Sequence, residues 1–137
     1  MKLQVGVKAL LKNQHNKYLL IRRNPKKYSE VGAKWDIVGG RINPGTSLIE
    51  NLVREIKEEV GLELRDNPKL IAAQDIFVSS KKLHVVRLTY TANIEGEPKL
   101  DQSENTEFKW FSLSEIKKLG QLLDSYFAKL VKVNLIQ

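Results

Sequence analysis

Between Ser47 and Gly61 two periodic patterns share one segment, and no other stretch limits the possible folds as tightly. Leu48, Ile49, Leu52, Val53, Ile56 and Val60 recur at the spacing of a single helical face. Glu55, Glu58 and Glu59 stand at i, i+3 and i+4, so their carboxylates gather beside that stripe within an arc of about 100°. Ser47 with Glu50 predicts a capping box, and Gly61 supplies the stop. A helix with one apolar face must be buried against another layer, which the rest of the chain has to provide.

Strand patterns supply it. Leu3, Val5, Val7, Ala9 and Leu11 alternate with Gln4, Gly6 and Lys8, which predicts a half-buried strand. Asn13-Gln14-His15-Asn16 predicts a turn into a second strand, Lys17 to Arg22. Residues 24–34, polar and containing Pro25 and Gly32, predict a loop, and Trp35 to Val38 a short strand running into Gly39-Gly40. Leu70 to Val78 predicts a strand. A long strand follows, with His84, Val86, Leu88, Tyr90 and Ala92 on its apolar face and Arg87, Thr89 and Thr91 opposite. Glu95 to Ser103 predicts a loop, and Thr106 to Phe111 a late strand. Ser112 and Glu115 predict a second capping box on a helix reaching Leu119, and Gln121 to Val131 a final helix. No repeat or linker divides residues 1–137, so the expectation is one mixed α/β domain.

The absence of cysteine among 137 residues excludes disulfides, thiolate metal sites and cysteine nucleophiles. No apolar run approaches the roughly 18 residues that a membrane helix needs. The start, Met1 to Val7, lacks the pattern of a signal peptide, so a cytoplasmic location is expected. The net charge of +7 favours anionic partners, either a phosphorylated small molecule or a nucleic-acid backbone. Its carriers (Lys8, Arg22, Arg23, Lys26, Lys27, Arg41, Lys81, Lys82, Lys117, Lys118) are dispersed, as on an ordinary solvated surface. No nucleic-acid-binding module is signalled.

Three clustered carboxylates repel one another unless something neutralises them. Arg54 lies one turn from both Glu50 and Glu58 and can pair with either. A divalent cation would do more, and an all-oxygen donor set suits Mg²⁺ or Mn²⁺ rather than zinc. Such ions withdraw charge from a diphosphate and acidify water, while a carboxylate takes its proton. Solvation alone would also account for an acidic face. The coincidence of this face with the Gly39-Gly40 approach and the Asn43-Pro44-Gly45 turn favours the metal.

Gly40, Arg54-Glu55-Ile56, Glu58-Glu59 and Gly61-Leu62 resemble, with spacing intact, the signature of the Nudix (MutT-like) hydrolases. With the flanking strands, Trp110-Phe111 and the late helix, the resemblance covers essentially the whole chain. It implies an α/β/α sandwich around a mixed β-sheet and cleavage of a nucleoside diphosphate linked to another moiety. It further implies that Glu55, Glu58 and Glu59 hold Mg²⁺ with the Gly39 carbonyl, and that Arg54 orients the glutamates. Glu104 or Glu107, before Trp110, would add a metal ligand or the general base, with Glu104 preferred. Thr46 stands where the signature has a glutamate, and Asn43 where many relatives have an acid.

Arg23, Gly40 and Arg41 form the expected substrate-binding set, the arginine fork being suited to oxyanions. Trp35 and Phe77 are expected in the core more than against a base. Asp124-Ser125-Tyr126 resembles a purine-recognition segment. His15 and His84 carry no expected role. Phe77-Val78-Ser79-Ser80 lacks the proline of ADP-ribose members and the tyrosine of dinucleoside polyphosphate members. That leaves a nucleoside triphosphate or oxidised dNTP as the expected substrate, acted on by a monomer or homodimer. The alternatives are a non-catalytic nucleotide sensor and an enzyme of RNA ends.

Overall fold

The computed structural model describes residues 1–26 and 34–136. Its strands are β1 (Lys2–Lys12), β2 (Tyr18–Arg23), β3 (Trp35–Asp36), β4 (Val38–Arg41), β5 (Lys69–Val78), β6 (Leu83–Asn93) and β7 (Asn105–Phe111). The helices are α1 (Leu48–Val60), α2 (Leu113–Lys117) and α3 (Ser125–Lys132), with 3-10 turns at Ser79–Lys81 and Gly120–Leu122. Of the loop expected over residues 24–34, residues 27–33 lie outside the described residues.

The sheet is mixed, as expected. Among the described residues its strands run in the order β3-β2-β1-β6-β5, with β4 paired to β1 and β7 to β2. β1 and β6 are parallel from Lys2↔Leu83 to Lys12↔Asn93, and the other pairings are antiparallel. α1 covers one face, where Leu52, Ile56 and Val60 pack on Val7, Ala9, Leu11, Tyr90 and Ala92. α2 and α3 cover the other, where Ile116, Phe127, Leu130 and Val131 pack with Leu10, Leu20, Trp35 and Phe111. The result is the α/β/α sandwich.

Several expectations are corrected. β1 is not half-buried over its length: Val7 to Leu11 are buried on both faces, Lys8 included, because both layers reach this central strand. The supposedly outer face of β6 is likewise covered, with Thr89 fully buried beneath α3's side of the sheet. The 35–38 strand breaks at Ile37, and Gly39 and Gly40 lie inside β4, paired with Lys8 and Val7. The last helix starts later than Gln121, at Ser125, because the Asp124 side chain caps Phe127 N. The reciprocal capping box forms at Ser112–Glu115, and at Ser47 the hydroxyl accepts from Glu50 N. Trp35 is in the core, whereas Phe77 is 60% exposed and stacks on His84 instead.

Candidate active site

β4 feeds the 42–47 turn, and the turn delivers the chain to α1. Ser47 caps that helix in extended geometry, its Oγ 3.1 Å from Glu50 N. Asn51, fully buried one turn on, ties helix to turn. Its Nδ2 donates to the carbonyls of Thr46 (3.1 Å) and Ser47 (2.6 Å), and its Oδ1 accepts from Asn43 N (2.9 Å).

Arg54 is the hub of the acidic face. Nη1 donates to Glu55 at 2.9 Å and reaches Glu58 at 3.4 Å. Nη2 donates to Asn51 Oδ1 at 2.9 Å and to the Arg41 carbonyl at 3.3 Å. Glu58 is the most solvated of the three glutamates, and Glu59 is buried. Glu59 Oε1 accepts from Gly39 N at 2.8 Å and Oε2 from Asn105 Nδ2 at 3.0 Å, so strands β4 and β7 grip one carboxylate. Burial, reinforced by the negative charge of Glu59, holds the Glu55 carboxyl above the usual carboxylate range.

The close approach of β4 to α1 explains both glycines. A Cβ on Gly40 would lie 2.6 Å from Glu55 Oε2. At Gly39, with φ of +149°, it would lie 2.1 Å from the Val7 carbonyl. Both glycines belong to strand β4, and Gly39 is buried.

A cavity of about 530 Å³ opens beside this helix. Glu55, Glu58, Glu59, Asp101 and Glu104 line it, as do Lys8, Arg23, Lys34, Arg41 and Arg87. Ion pairs sit in its lining. Lys8 Nζ donates to Asp36 and to the Ile37 carbonyl, each at 3.1 Å, and Arg87 meets Asp124 at 3.0 Å. Burial depresses the Lys8 ammonium. At Asp36 burial pushes upward, yet the Lys8, Arg87 and Arg23 cations outweigh it and leave the carboxyl below its usual range. Pairing of β2 with β7 brings Arg23 to 4.0 Å from Glu104, and Asn24 N donates to the Glu104 carbonyl.

Gly39, Gly40, Arg41, Arg23, Glu55, Glu58, Glu59 and Glu104 thus all line one cavity, and Arg54 stands behind its acidic wall. Glu107 does not line it and pairs with Arg22. Sequence reasoning gave no role to Asn51, Asn105, Asp36 or Asp101, and counted Lys8 and Arg87 only as surface charge or an outer strand face. An Asn inside the helical run, beside the apolar Leu52, was the one available signal. The donor set suits a hard cation. No three carboxylates converge on one point among the described residues. Mg²⁺ characteristically takes one or two carboxylates and completes its octahedron with water and substrate phosphate.

The chain belongs to the NUDIX domain family, whose model matches residues 2–130. A MutT protein from Methanosarcina mazei Go1 superposes with a TM-score of 0.82 at 28% identity, over 96% of this chain and 92% of that one. A protein of Bacillus subtilis named as a candidate 8-oxo-dGTP diphosphatase is 30% identical over 78% of this chain and 65% of its own length. The NAD-capped RNA hydrolase NudC of Vibrio vulnificus is 30% identical over 76% of this chain and 36% of its own. The chain therefore spans from about a third to just under two thirds of these two relatives.

Proposed function

We propose that this chain hydrolyses a diphosphate linkage in a nucleotide, with a nucleoside triphosphate or oxidised dNTP as the preferred substrate. The observation that carries the reading is a cavity with both a carboxylate wall on α1 and a set of cationic side chains. Glu55, Glu58 and Glu59, with the Gly39 carbonyl, would hold Mg²⁺ or Mn²⁺, which supplies charge neutralisation of the diphosphate and a more acidic water.

The chain's own groups do the rest. Arg23, Arg41 and the Gly40 backbone receive the phosphates, and the arginine forks match paired oxyanions. Arg54 offsets the mutual repulsion of Glu55 and Glu58 by sharing one guanidinium nitrogen between them. Glu59, already held by two N–H groups, is fixed in place before any ligand arrives. Glu104, which lines the same cavity, is the proton acceptor in this reading. Asp124, in the lining and anchored by Arg87 and Phe127 N, contacts the base.

Incubation with a nucleotide panel and Mg²⁺ releases phosphate or pyrophosphate on this reading. Tight binding without turnover of any member would instead mark a sensor. A second reading, hydrolysis at RNA ends, draws on the +7 charge and the NudC likeness. It requires RNA binding that weakens with added salt. The protein is a cytoplasmic monomer or homodimer on this reading; among the described residues no helix is long and apolar enough to cross a membrane.

A further inference from the structure

We infer that Asn51 is a positioning residue for the carboxylate wall, acting through Arg54. The inference rests on the metal-dependent reading proposed above. Asn51 is the fourth residue of α1, past the cap, where an Asn side chain competes for backbone hydrogen bonds and is a poor helix former. Here the amide is fully buried, and both its oxygen and its nitrogen are engaged. Nδ2 holds the carbonyls of Thr46 and Ser47, and Oδ1 receives Asn43 N and Arg54 Nη2. A side chain serving only the helix's packing would be apolar, as its neighbour Leu52 is.

The consequence lies in what restrains Arg54. Its Nε is buried without a hydrogen-bond partner, so the guanidinium is oriented through its two terminal nitrogens alone. Nη1 is shared between Glu55 and Glu58. Nη2 is anchored by Asn51 Oδ1 at 2.9 Å, with the longer Arg41 carbonyl contact at 3.3 Å beside it. Asn51 is therefore the principal neutral anchor that keeps the fork between the two carboxylates. Thr46 enters the same network through its carbonyl, so the position that departs from the family signature is tied into the Arg54 support. Groups that orient metal-binding side chains typically change affinity by 10–100-fold when lost.

Mn²⁺ binding, measured by electron paramagnetic resonance and calorimetry on the nucleotide-free chain, tests this. Asn51→Ala is expected to weaken binding at least 10-fold. Asn51→Asp loses the two donors to the turn but keeps the acceptor for Arg54; it should stay within a few-fold of the parent even if its melting temperature falls. In an Arg54→Ala background the loss caused by Asn51→Ala should vanish. Parent-like affinity in Asn51→Ala would overturn the inference, as would equal losses in the Ala and Asp variants, which mark a structural role. An undiminished loss in the Arg54→Ala background would overturn it too. If the parent chain itself binds no Mn²⁺, the metal-dependent reading fails along with it.

Discussion

Gly39 and Gly40 are adjacent, yet they answer to different constraints. At Gly39 a methyl group would strike the Val7 backbone in a conformation that L-residues avoid, so Gly39→Ala should cost roughly 2–4 kcal/mol in urea denaturation. At Gly40 the obstructing atoms belong to the Glu55 carboxylate, the end of a flexible side chain. Gly40→Ala should therefore fold with a smaller loss and lower kcat by moving Glu55. Glu55 itself makes stability depend on pH. A carboxyl whose pKa is raised on folding binds its proton more tightly in the native state, so stability is lost as pH rises from the unfolded value through the folded one. Metal-free Glu55→Gln should accordingly melt higher than the parent at pH 7, and the difference should shrink toward pH 4. A pH-independent difference would contradict the desolvation of Glu55.

Among elements, α1 is where sequence and structure agree best, and the reason is local. Its Ser47 cap, its Gly61 stop and the Leu52-Ile56-Val60 core of its stripe are set by neighbours within a turn or two, so residues 48–60 could be read directly, although Ile49 and Val53, counted in the stripe, are exposed. The fully buried Ile56 belongs to that stripe, and Ile56→Ala should cost about 2–5 kcal/mol. What escaped the sequence depends on contacts between distant segments. Lys8 is polar and in an alternating strand, so it was assigned to solvent; only the parallel pairing of β1 with β6 and the layer above place it in the interior with Asp36. Asn105 reads as a loop residue, yet β7 pairing with β2 seats it against Glu59 from 46 positions away. Asn105→Ala leaves Glu59 Oε2 without its donor and should cost about 1–3 kcal/mol. Metal affinity should fall alongside, by calorimetry.

At the scale of the molecule, opposite charges are sorted around one cavity while the whole chain carries +7. A field of that kind draws anions in, and salt screens it over a Debye length of about 10 Å at 0.1 M. Raising ionic strength should therefore raise KM several-fold while kcat changes little, because the inner carboxylates and ion pairs are shielded from bulk ions. The family and the layered fold were legible in advance because the motif from Gly40 to Leu62 is contiguous. The cavity was not, because its lining is drawn from β1, β2, β3, β4, α1, β5, β6 and the segments around Lys34, Glu104 and Asp124. Hydrolysis in oxygen-18 water, with products weighed by mass spectrometry, tests the proposed chemistry most directly. With Mg²⁺ and a nucleoside triphosphate, one phosphorus product should carry the label, and Glu58→Gln should slow its formation about 100-fold or more. Unlabelled products, or equal rates for the parent and Glu58→Gln, would contradict diphosphate hydrolysis at this helix.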